Sequence, residues 1–458
     1  MSGRALCVCA LAVGASSLLN CHTLPLGPAR PNVILLMADD MGWGDFGPGA
    51  TTLTPELDLM AEGGLTFHRF YAAAPVCSPT RGSVLTGRHP SRYGISNANV
   101  GHLPKEEHTL AEYLREVGYA TGHFGKWHLG TLTTEKKDSN RGGEGKTKHY
   151  SPPWEHGFDV CFSTEAKVPT YDPMVNPGTG EPYGTAYWTG PEEEVLDGLK
   201  GDDSALIMDR ALEFIAASTE EGRPFFAVVW FHAPHKPVVA GPEHLARHPD
   251  RKGSAQHYRG CLSAMDDQVG RLRTALRAQG VADETMLWFT SDNGPEGSND
   301  TLGTTRGLRG RKRSLFEGGV RVPGILEWPA RVRAGTETET PAVTSDYLPT
   351  VLSLLGLELC DERPMDGVDL SPLLNGEAAP RNQAIGFQSG GRQAWIDGSY
   401  KLVKNGKDKP FGLYDLNNDP GESGDLAAED PGRAERMRDA LDGWRSSCAV
   451  SAAGEDYR

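Results

Sequence analysis

The apolar run Asn32–Met37 (NVILLM) stops at Ala38-Asp39-Asp40, and this change from apolar to polar residues sets the pattern of the fold. Three later runs repeat the pattern, each ending at a polar cluster: Tyr119–Phe124 before Gly125–His128, Phe225–Phe231 before His232–His235, and Thr285–Thr290 before Ser291–Gly294. Near-continuous apolar runs of this length are typical of strands that a sheet buries on both faces. The four runs therefore predict the central strands of one buried sheet.

Segments with helical spacing of apolar residues alternate with these runs, over residues 109–117, 203–217 and 262–279. Strands that alternate with helices predict an α/β fold with a large, doubly wound, mostly parallel sheet. Ligands of such a sheet bind beyond the carboxyl ends of its strands. We therefore expect the four polar clusters to meet at one edge of the sheet.

The chain changes character after Leu374, where a linker-like stretch over residues 375–382 is followed by short apolar segments. These segments predict four antiparallel strands and one closing helix: Ala384–Gln388, Gln393–Ile396, Tyr400–Val403, Gly412–Tyr414 and the helix Glu435–Trp444. We therefore expect a main domain over residues 30–374 and a small C-terminal α+β subdomain over residues 383–458.

The first residues predict export. Residues 5–19 (ALCVCALAVGASSLL) are small and apolar, follow Arg4 and precede a polar stretch, as in a secretory signal peptide. We assign residues 1–24 to this peptide and expect a secreted or periplasmic protein. A lipid anchor at Cys21 is an alternative, although a poor lipoprotein box precedes it, and so is an ordinary disordered N-terminus. No apolar run of membrane-spanning length follows the first twenty residues.

Composition and cysteine count narrow the class of protein. Of the 458 residues, 46 are Lys or Arg and 61 are Asp or Glu, which gives a net charge of −15. This balance argues against nucleic-acid binding, although local cations still allow a small anionic substrate. Five cysteines lie beyond the predicted signal peptide, so at least one thiol is unpaired, and the others are buried residues or two disulfides. No CxxC pair is present, which argues against a zinc knuckle. The oligomeric state stays open.

Four oxygen-bearing residues at two of the predicted strand ends indicate a metal site: Asp39, Asp40, Asp292 and Asn293. Oxygen-only ligand sets favour hard cations, Ca²⁺ or Mg²⁺, over zinc. The alternative is that the first two aspartates cap a helix and that Asp292 forms an Asx-turn. Two such pairs at strand ends favour the metal site.

Positive or titratable side chains accompany these carboxylates: Arg81, Lys126, His128, His235 and Lys312. Each alone has an ordinary alternative, a solvated lysine or a structural histidine. Together with a divalent cation they predict a site for a tetrahedral oxyanion, and histidine suits the proton transfers because its pKa lies near neutrality. The residues alone therefore indicate a metal-assisted hydrolase of a phosphate or sulfate ester.

The identity of the nucleophile distinguishes hydrolysis of a sulfate ester from hydrolysis of a phosphate ester. Cys77–Gly87 (CSPTRGSVLTG) resembles the signature of the formylglycine-dependent sulfatases, C-x-P-x-R-x-x-x-L-T-G, with Thr80 where serine is commonest. The alternative is a buried structural cysteine beside a turn-forming proline. The resemblance implies that a formylglycine-generating enzyme oxidises Cys77 to formylglycine. It also implies that the hydrated aldehyde attacks sulfur and that its second hydroxyl then expels sulfate.

The resemblance covers about residues 31–426 and implies an alkaline-phosphatase-like fold. Its further segments are Asn32–Asp40, Thr54–Asp58, Gly125–Gly130 (GKWHLG), Pro234–Pro237, Leu308–Pro323 and Phe411–Leu426. The chain departs from the family pattern at Glu56 and Asp425, where asparagine is usual, and at Arg311, where glycine is usual. A glycine at the position of Arg311 would permit an unusual φ.

The resemblance also assigns roles, residue by residue. Cys77, as formylglycine, is the expected nucleophile. The same residue is expected to bind Ca²⁺ together with Asp39, Asp40, Asp292 and Asn293, and Mg²⁺ is the second choice of cation.

The remaining roles concern the sulfate group. Arg81 and Lys126 are expected to hold the formylglycine hydrate and the sulfate, and His128 to drive the elimination that regenerates the aldehyde. His235 and Lys312 are expected to stabilise or protonate the leaving oxygen. Lys126, His235 and Lys312 therefore also count as substrate-binding residues.

The expected substrate is a sulfated carbohydrate, since an exported sulfatase would meet sulfated glycans. Specificity is expected from the loops 97–102, 163–189 and 297–309. One alternative is a phosphatase or phosphodiesterase of the same fold, although such enzymes typically use two transition metals, an Asp-His pair and a Ser or Thr nucleophile. Another is an inactive glycan-binding relative, which would be expected to have lost some of the catalytic residues that this chain keeps.

Overall fold

The computed structural model describes residues 30–47, 50, 54–138, 141–145, 147–376 and 380–457. The predicted signal peptide, with Cys7, Cys9 and Cys21, lies outside these residues. In chain order the described strands are β1 Asn32–Ala38, β2 Leu65–Phe67, β3 Phe70–Tyr71, β4 Ala120–Lys126, β5 Lys137–Asp138, β6 Arg141–Gly142, β7 Val160–Thr164, β8 Trp188–Gly190, β9 Glu193–Glu194, β10 Phe225–Trp230, β11 Thr285–Ser291, β12 Arg321–Val322, β13 Gly324–Glu327, β14 Thr336–Thr338, β15 Ala342–Val343, β16 Ile385–Ser389, β17 Arg392–Asp397, β18 Tyr400–Asn405 and β19 Gly412–Asp415. The described α-helices are α1 Pro55–Glu62, α2 Cys77–Thr86, α3 Leu110–Glu116, α4 Asp203–Glu220, α5 Pro242–Ala246, α6 Ser254–Ala278, α7 Glu317–Val320, α8 Tyr347–Leu355, α9 Ser371–Leu374 and α10 Pro431–Ala452.

The four predicted runs are neighbours in the main sheet, whose strand order is β14-β2-β13-β11-β1-β10-β4-β7-β8-β9. The five strands from β11 to β7 are parallel, and Leu35 of β1 lies opposite Val228 of β10 and Trp288 of β11. Antiparallel pairs occur towards both edges, as between β11 and β13 and between β7 and β8. The predicted large, mostly parallel sheet is therefore confirmed.

The central strands are buried on both faces, as their continuous apolar sequences predict. Val33, Leu35 and Met37 of β1 enter one hydrophobic cluster with residues of α3 and α8. Ile34 and Leu36 point to the opposite face and enter a second cluster with residues of α4 and α6. Alternate side chains of a strand point to opposite faces, so one strand helps to fill both cores.

Some element boundaries differ from the predicted ones. Strands β1 and β4 extend past their apolar runs because pairing continues, with Ala38 opposite Ser291 and Lys126 opposite Thr164. Helix α6 begins at Ser254, well before the predicted residue 262. The prediction missed its first turns because they are largely polar and only partly buried. Hydrophobic periodicity therefore marked where each element packs and not where its hydrogen bonding starts or stops.

The C-terminal strands form the predicted antiparallel sheet, in the order β16-β17-β18-β19. The closing helix α10 is longer than predicted, because the Asp430 side chain caps its first turn by accepting from the backbone N–H of Arg433 at 3.0 Å. The described helices include none with the length and apolar character that a membrane span needs. The domain limits at residues 374 and 383 stay a prediction.

The five cysteines in the described part of the chain are free thiols. Cys161, Cys261 and Cys448 are buried and Cys360 is exposed. The alternative of two disulfides among these residues is therefore excluded, and their buried members act as small apolar side chains. The fifth thiol, Cys77, lies at the carboxyl edge of the main sheet.

Candidate active site

Two acidic pairs meet where β1 and β11 end. Asp39 and Asp40 follow β1 directly, and Asp292 and Asn293 follow the adjacent parallel strand β11. Asp40 has a left-handed backbone (φ 72°), and its N–H donates to Asp292 Oδ1 at 3.2 Å. Asn293 Nδ2 donates to Asp40 Oδ1 at 2.6 Å. The sheet register thus brings the two predicted pairs into direct contact.

Helix α2 carries Cys77 and Arg81 to the same edge. The two residues are four positions apart and therefore share one face of the helix. Arg81 Nη2 lies 2.7 Å from Asp292 Oδ2 and 3.4 Å from Asp39 Oδ2. The Thr80 hydroxyl donates to the Ala74 carbonyl at 3.0 Å and so fixes the turn that precedes the helix. The threonine at this position needs no change of the local backbone.

Two buried lysines complete the charge cluster. Lys126, at the end of β4, places Nζ 2.5 Å from Asp39 Oδ2, and its carbonyl accepts from Arg81 Nη1 at 2.9 Å. Lys312 places Nζ 2.6 Å from Asp40 Oδ1. Burial would lower the pKa of Lys312, but Asp40 and other negative groups raise it. Lys312 therefore contributes fixed positive charge at the edge of the sheet, and Lys126 forms an ion pair with Asp39 there.

His235 lies at the more open side of the cluster. Its side chain is 14% exposed, and its Nε2 lies 3.7 Å from Asp40 Oδ2. Burial lowers the pKa of His235 to about 4; Asp39 opposes this effect, and Lys312 adds to it. The imidazole is therefore neutral near pH 7 in the absence of further charges.

His128 is more deeply buried than His235, and its backbone is left-handed (φ 58°). Burial, with help from Lys126 and Arg81, lowers the pKa of His128 well below its ordinary value. Its Nε2 lies 2.9 Å from Asn99 Oδ1. Its Nδ1 is buried and has no hydrogen-bond partner in the described residues. Strained backbone and an unpaired polar atom are more common at functional sites than elsewhere.

The acidic residues have the features of a cation site. One ligand atom from each of Asp39, Cys77 and Asp292 lies within 4.8 Å of the others, and the same holds for Asp39, Asp40 and His235. Burial and the nearby Asp39 charge raise the pKa of Asp292 to about 7. Among the described atoms, the buried Asp39 Oδ1 and Asn293 Oδ1 lack hydrogen-bond partners. Crowded carboxylates and unpaired oxygens fit a hard divalent cation.

The Cys77 thiol is a poor nucleophile as it stands. The residue is 2% exposed, and burial raises the pKa of the thiol even though Lys126 and Lys312 act in the opposite direction. The thiolate, which is the reactive form, is therefore scarce near pH 7. A cysteine placed among so many charged groups without being activated fits a side chain that is converted to another group.

Comparison with known proteins identifies the family. The model of the family described as Sulfatase matches residues 31–357. The chain belongs to the sulfatase family. A second family model, described as N-sulphoglucosamine sulphohydrolase, C-terminal, matches residues 310–441. The protein is therefore a sulfuric ester hydrolase, as the Cys77 signature predicts.

Individual sulfatases support this assignment. N-acetylgalactosamine-6-sulfatase of Sus scrofa is 36% identical over 388 residues, which cover 77% of this chain and 68% of the relative. Arylsulfatase A of Bos taurus is 35% identical over 387 residues, which cover 78% of this chain and 70% of the relative. The crystal structure of Ps i-CgsB in complex with k-i-k-neocarrahexaose is similar to this chain with a TM-score of 0.79 and 26% identity. The match covers 92% of this chain and 93% of that chain. The phosphonate monoester hydrolase of Agrobacterium radiobacter has a TM-score of 0.61 at 22% identity, so it shares the fold.

The departures of this sulfatase from the family pattern lie outside the charge cluster. Arg311 is not among the described residues with positive φ, so its backbone does not need glycine. Its guanidinium donates to the Gly303 carbonyl at 2.6 Å. Glu56 lies 3.4 Å from Arg273, and Asp425 accepts from the Leu413 N–H at 3.0 Å. These substitutions therefore serve local packing.

Sequence reasoning gave no individual role to three residues that contact the site. The Ser291 hydroxyl accepts from the Met41 N–H at 3.0 Å and donates to the Asn293 carbonyl at 3.1 Å. Glu296 lies 3.6 Å from Lys312 Nζ. Asn99 contacts His128, although its segment was expected only to contact substrate. Ser291 directly precedes Asp292 and could have been found from that position, whereas no pattern in the sequence pointed to the other two.

Proposed function

We propose that this sulfatase is exported and hydrolyses a sulfate ester of a carbohydrate, through a formylglycine made from Cys77 and with bound Ca²⁺. One observation carries the proposal: Cys77 starts α2 inside a cluster of three carboxylates and three cations. Such a cluster is suited to neutralising and holding a tetrahedral oxyanion. The predicted signal peptide over residues 1–24 supports export.

The modified Cys77 would supply two hydroxyl groups on one carbon, one for attack on sulfur and one for the release of sulfate. Arg81 and Lys126 flank this position and carry positive charge, which would hold the hydroxyl groups and the sulfate oxygens. Both side chains are fully or almost fully buried, so water screens their charges little. Their charges are therefore effective where negative charge develops.

Asp39, Asp40, Asp292 and Asn293 would hold Ca²⁺, with Mg²⁺ as the second choice. Bound there, the cation would neutralise sulfate oxygens and relieve the repulsion between the carboxylates. The unpaired Asp39 Oδ1 and Asn293 Oδ1 support this assignment, since a ligand oxygen needs a free lone pair. The side chain at Cys77 completes the proposed ligand set.

Two groups are suited to the leaving oxygen. Lys312 keeps its proton because Asp40 raises its pKa despite burial, so it would stabilise developing negative charge. His235 lies beside Asp40 at the more exposed side of the cluster, where the sugar would leave. We assign His235 and Lys312 to stabilisation or protonation of this oxygen.

His128 would drive the last step. As the neutral imidazole, it would accept the proton of a hydroxyl group on the modified Cys77 while the bond from its carbon to the sulfate oxygen breaks and the aldehyde is restored. The electron pair of the broken bond leaves with sulfate, and the proton later passes to solvent. Retention of Cys77, His128, His235 and Lys312 in one site favours this activity over an inactive glycan-binding role.

A sulfated carbohydrate is the substrate class that the relatives favour. One relative is named for N-acetylgalactosamine 6-sulfate, and one similar structure holds a neocarrahexaose. The loops 97–102, 163–189 and 297–309 are the proposed specificity loops. The first reaches the site through Asn99, and the third precedes Lys312.

The proposal is tested by sulfate release from a panel of sulfated mono- and oligosaccharides, with 4-nitrophenyl sulfate and 4-nitrophenyl phosphate alongside. The protein is produced together with a formylglycine-generating enzyme and assayed with Ca²⁺. We expect sulfate release from at least one sugar, and loss of this activity in Cys77→Ser, with Cys360→Ser as the matched control. Faster cleavage of the phosphate than of every sulfate would contradict the proposal.

A further inference from the structure

The contact between His128 and Asn99 links the tautomer of the imidazole to the orientation of the Asn99 amide. Nε2 of His128 lies 2.9 Å from Oδ1 of Asn99, and a carbonyl oxygen can only accept a hydrogen bond. With the amide oxygen facing the ring, the ring proton lies on Nε2. A neutral imidazole carries one ring proton, so Nδ1 presents a bare lone pair.

The surroundings keep this histidine neutral. The side chain is deeply buried, and Lys126, Arg81 and Arg141 add positive charge nearby. A second ring proton would place another positive charge in this poorly solvated region. Nδ1 is itself buried and has no partner among the described residues. A buried lone pair without a donor is costly, so its retention calls for a reason.

We propose that Asn99 is a positioning residue that fixes the tautomer of His128 and thereby leaves Nδ1 as the proton acceptor for sulfate release. Only the role of Nδ1 as a base rests on the proposed function. The tautomer itself can be observed in the protein before Cys77 is modified. Asn99 thus decides which nitrogen of the imidazole carries the proton.

The loop that carries Asn99 is built to hold it in place. Asn99 has φ 60°, a left-handed conformation that asparagine tolerates better than most residues. Two residues later, the Gly101 carbonyl accepts a hydrogen bond from Arg141. Arg141 Nε in turn donates to the buried Glu165 carboxylate at 3.0 Å. This ion pair anchors the loop against the body of the protein.

The competing arrangement is specific. If the Asn99 amide were turned around, its N–H would donate to Nε2 and the ring proton would move to Nδ1. Nδ1 could then donate but not accept, so it could not serve as the base. The two arrangements differ in an observable, the protonation of each ring nitrogen, that does not depend on enzyme activity.

The first test is therefore spectroscopic. Long-range ¹H–¹⁵N correlation spectra of ¹⁵N-histidine-labelled protein report which ring nitrogen carries the proton, and His128→Gln assigns the signal. We expect the Nε2–H form in the wild type, a mixture of tautomers in Asn99→Gly, and the Nε2–H form again in Asn99→Asp, whose carboxylate also accepts. An Nδ1–H signal in the wild type, or an unchanged tautomer in Asn99→Gly, would overturn the inference.

Glycine is the informative replacement because it keeps the left-handed backbone while removing the amide. Asn418→Gly is the matched control, since Asn418 is exposed in the turn after β19 and hydrogen bonds Asp415. This control should leave the His128 signal unchanged. A shift of the signal in the control would show that the spectra report general loosening and would overturn the assignment to Asn99.

The second test uses matured protein and 4-nitrophenyl sulfate. In Asn99→Gly we expect kcat to fall about 10- to 100-fold, with kcat/KM little changed and an initial burst of 4-nitrophenol, because the slowed step follows departure of the phenol. Asn99→Asp should recover most of kcat. Parallel loss of kcat and kcat/KM without a burst would mark a merely structural role and overturn the inference. A wild type that shows the Nε2–H form but releases no sulfate would refute the proposed function alone.

Discussion

Two clusters of buried charge in this molecule have opposite characters. Between α7 and the C-terminal sheet, Lys401 Nζ lies 2.8 Å from Glu317 Oε1 and 3.0 Å from Glu422 Oε1. Glu317 also accepts from the Tyr71 hydroxyl at 3.0 Å. All three charged side chains are fully buried, and each lies within 3 Å of an opposite charge. The opposite charges of this cluster pair with one another, and Glu422 Oε1, the one atom of the three charged side chains without a hydrogen bond among the described residues, still lies 3.0 Å from Lys401 Nζ.

The cluster at the carboxyl edge of the main sheet is not complete. Asp39 Oδ1, Asn293 Oδ1 and His128 Nδ1 are buried and lack hydrogen-bond partners in the described residues. Charges alone therefore do not distinguish a catalytic site from a structural one, since both clusters are buried and ion-paired. The difference lies in the surroundings of the unsatisfied atoms. Asp39 Oδ1, Asn293 Oδ1 and His128 Nδ1 have a place for a cation or a proton, whereas Glu422 Oε1 already lies 3.0 Å from the Lys401 ammonium.

Replacing the central lysine of each cluster tests this contrast most strongly. Lys126→Met should lower sulfate release about 10²- to 10³-fold, because it removes a charge that we propose stabilises the sulfate. Its effect on the unfolding midpoint should be small when Ca²⁺ is present, since a cation still balances the carboxylates. Equal loss of stability in both lysine variants would remove the distinction.

Lys401→Met should instead destabilise the fold by about 3–5 kcal/mol, because it leaves two buried carboxylates without their cation. Urea unfolding measures this change. The folded fraction of this variant should keep a kcat close to that of the wild type. A variant as stable as the wild type, or one that is folded but inactive, would contradict the structural role of Lys401.

Calcium provides a second contrast. If Ca²⁺ binds as proposed, added Ca²⁺ should raise the free energy of unfolding by about 2–3 kcal/mol at a hundred times its Kd, because a ligand of the folded chain stabilises it. Thermal denaturation with and without chelator measures the effect. Asp39→Asn should abolish the response, whereas Asp250→Asn, which alters an exposed carboxylate, should keep it. A response of equal size in Asp39→Asn would place the cation elsewhere.

The structural cluster should titrate near neutrality. Burial raises the pKa of Glu422 to about 7; Lys401 opposes the shift and Glu317 adds to it. Because the pKa of this acid is raised on folding, its stabilising contribution is full below about pH 4.5 and is lost as the pH rises towards 7. Glu422→Gln removes this titration.

Urea unfolding of the wild type and Glu422→Gln at about pH 5 and about pH 8 measures the effect. The free energy of unfolding of Glu422→Gln minus that of the wild type should be about 1–3 kcal/mol higher at the higher pH than at the lower pH. A difference independent of pH would show that Glu422 stays charged on both sides of neutrality.

The smallest expected effect concerns a departure from the family pattern. Glu56 contacts Arg273 at the surface of α1 and α6 and belongs to neither cluster. Glu56→Asn should therefore change the free energy of unfolding by about 0.5 kcal/mol or less and leave sulfate release unchanged. A large effect on activity would show that the active site extends further than the charge cluster.

The two regions also differ in how far the sequence predicts them. Asp39 and Asp292 were found because they follow apolar strands whose parallel register the pattern implies. The ion pairs of Lys401 could not be found, because they join Glu317, which is 84 positions away, through packing that no local pattern records. The contact of Asn99 with His128 was missed for a similar reason, since it depends on the path of a loop. Positions at strand ends are thus predictable, and contacts made by loops and between distant elements are not.

The proposed activity depends on the chemical state of Cys77. Its most direct test is the mass of the tryptic peptide Phe70–Arg81 (FYAAAPVCSPTR) from protein produced together with a formylglycine-generating enzyme. We predict a mass that corresponds to an aldehyde in place of the thiol. A peptide that keeps its thiol under these conditions would contradict the account, because burial leaves the unmodified cysteine without an effective nucleophile.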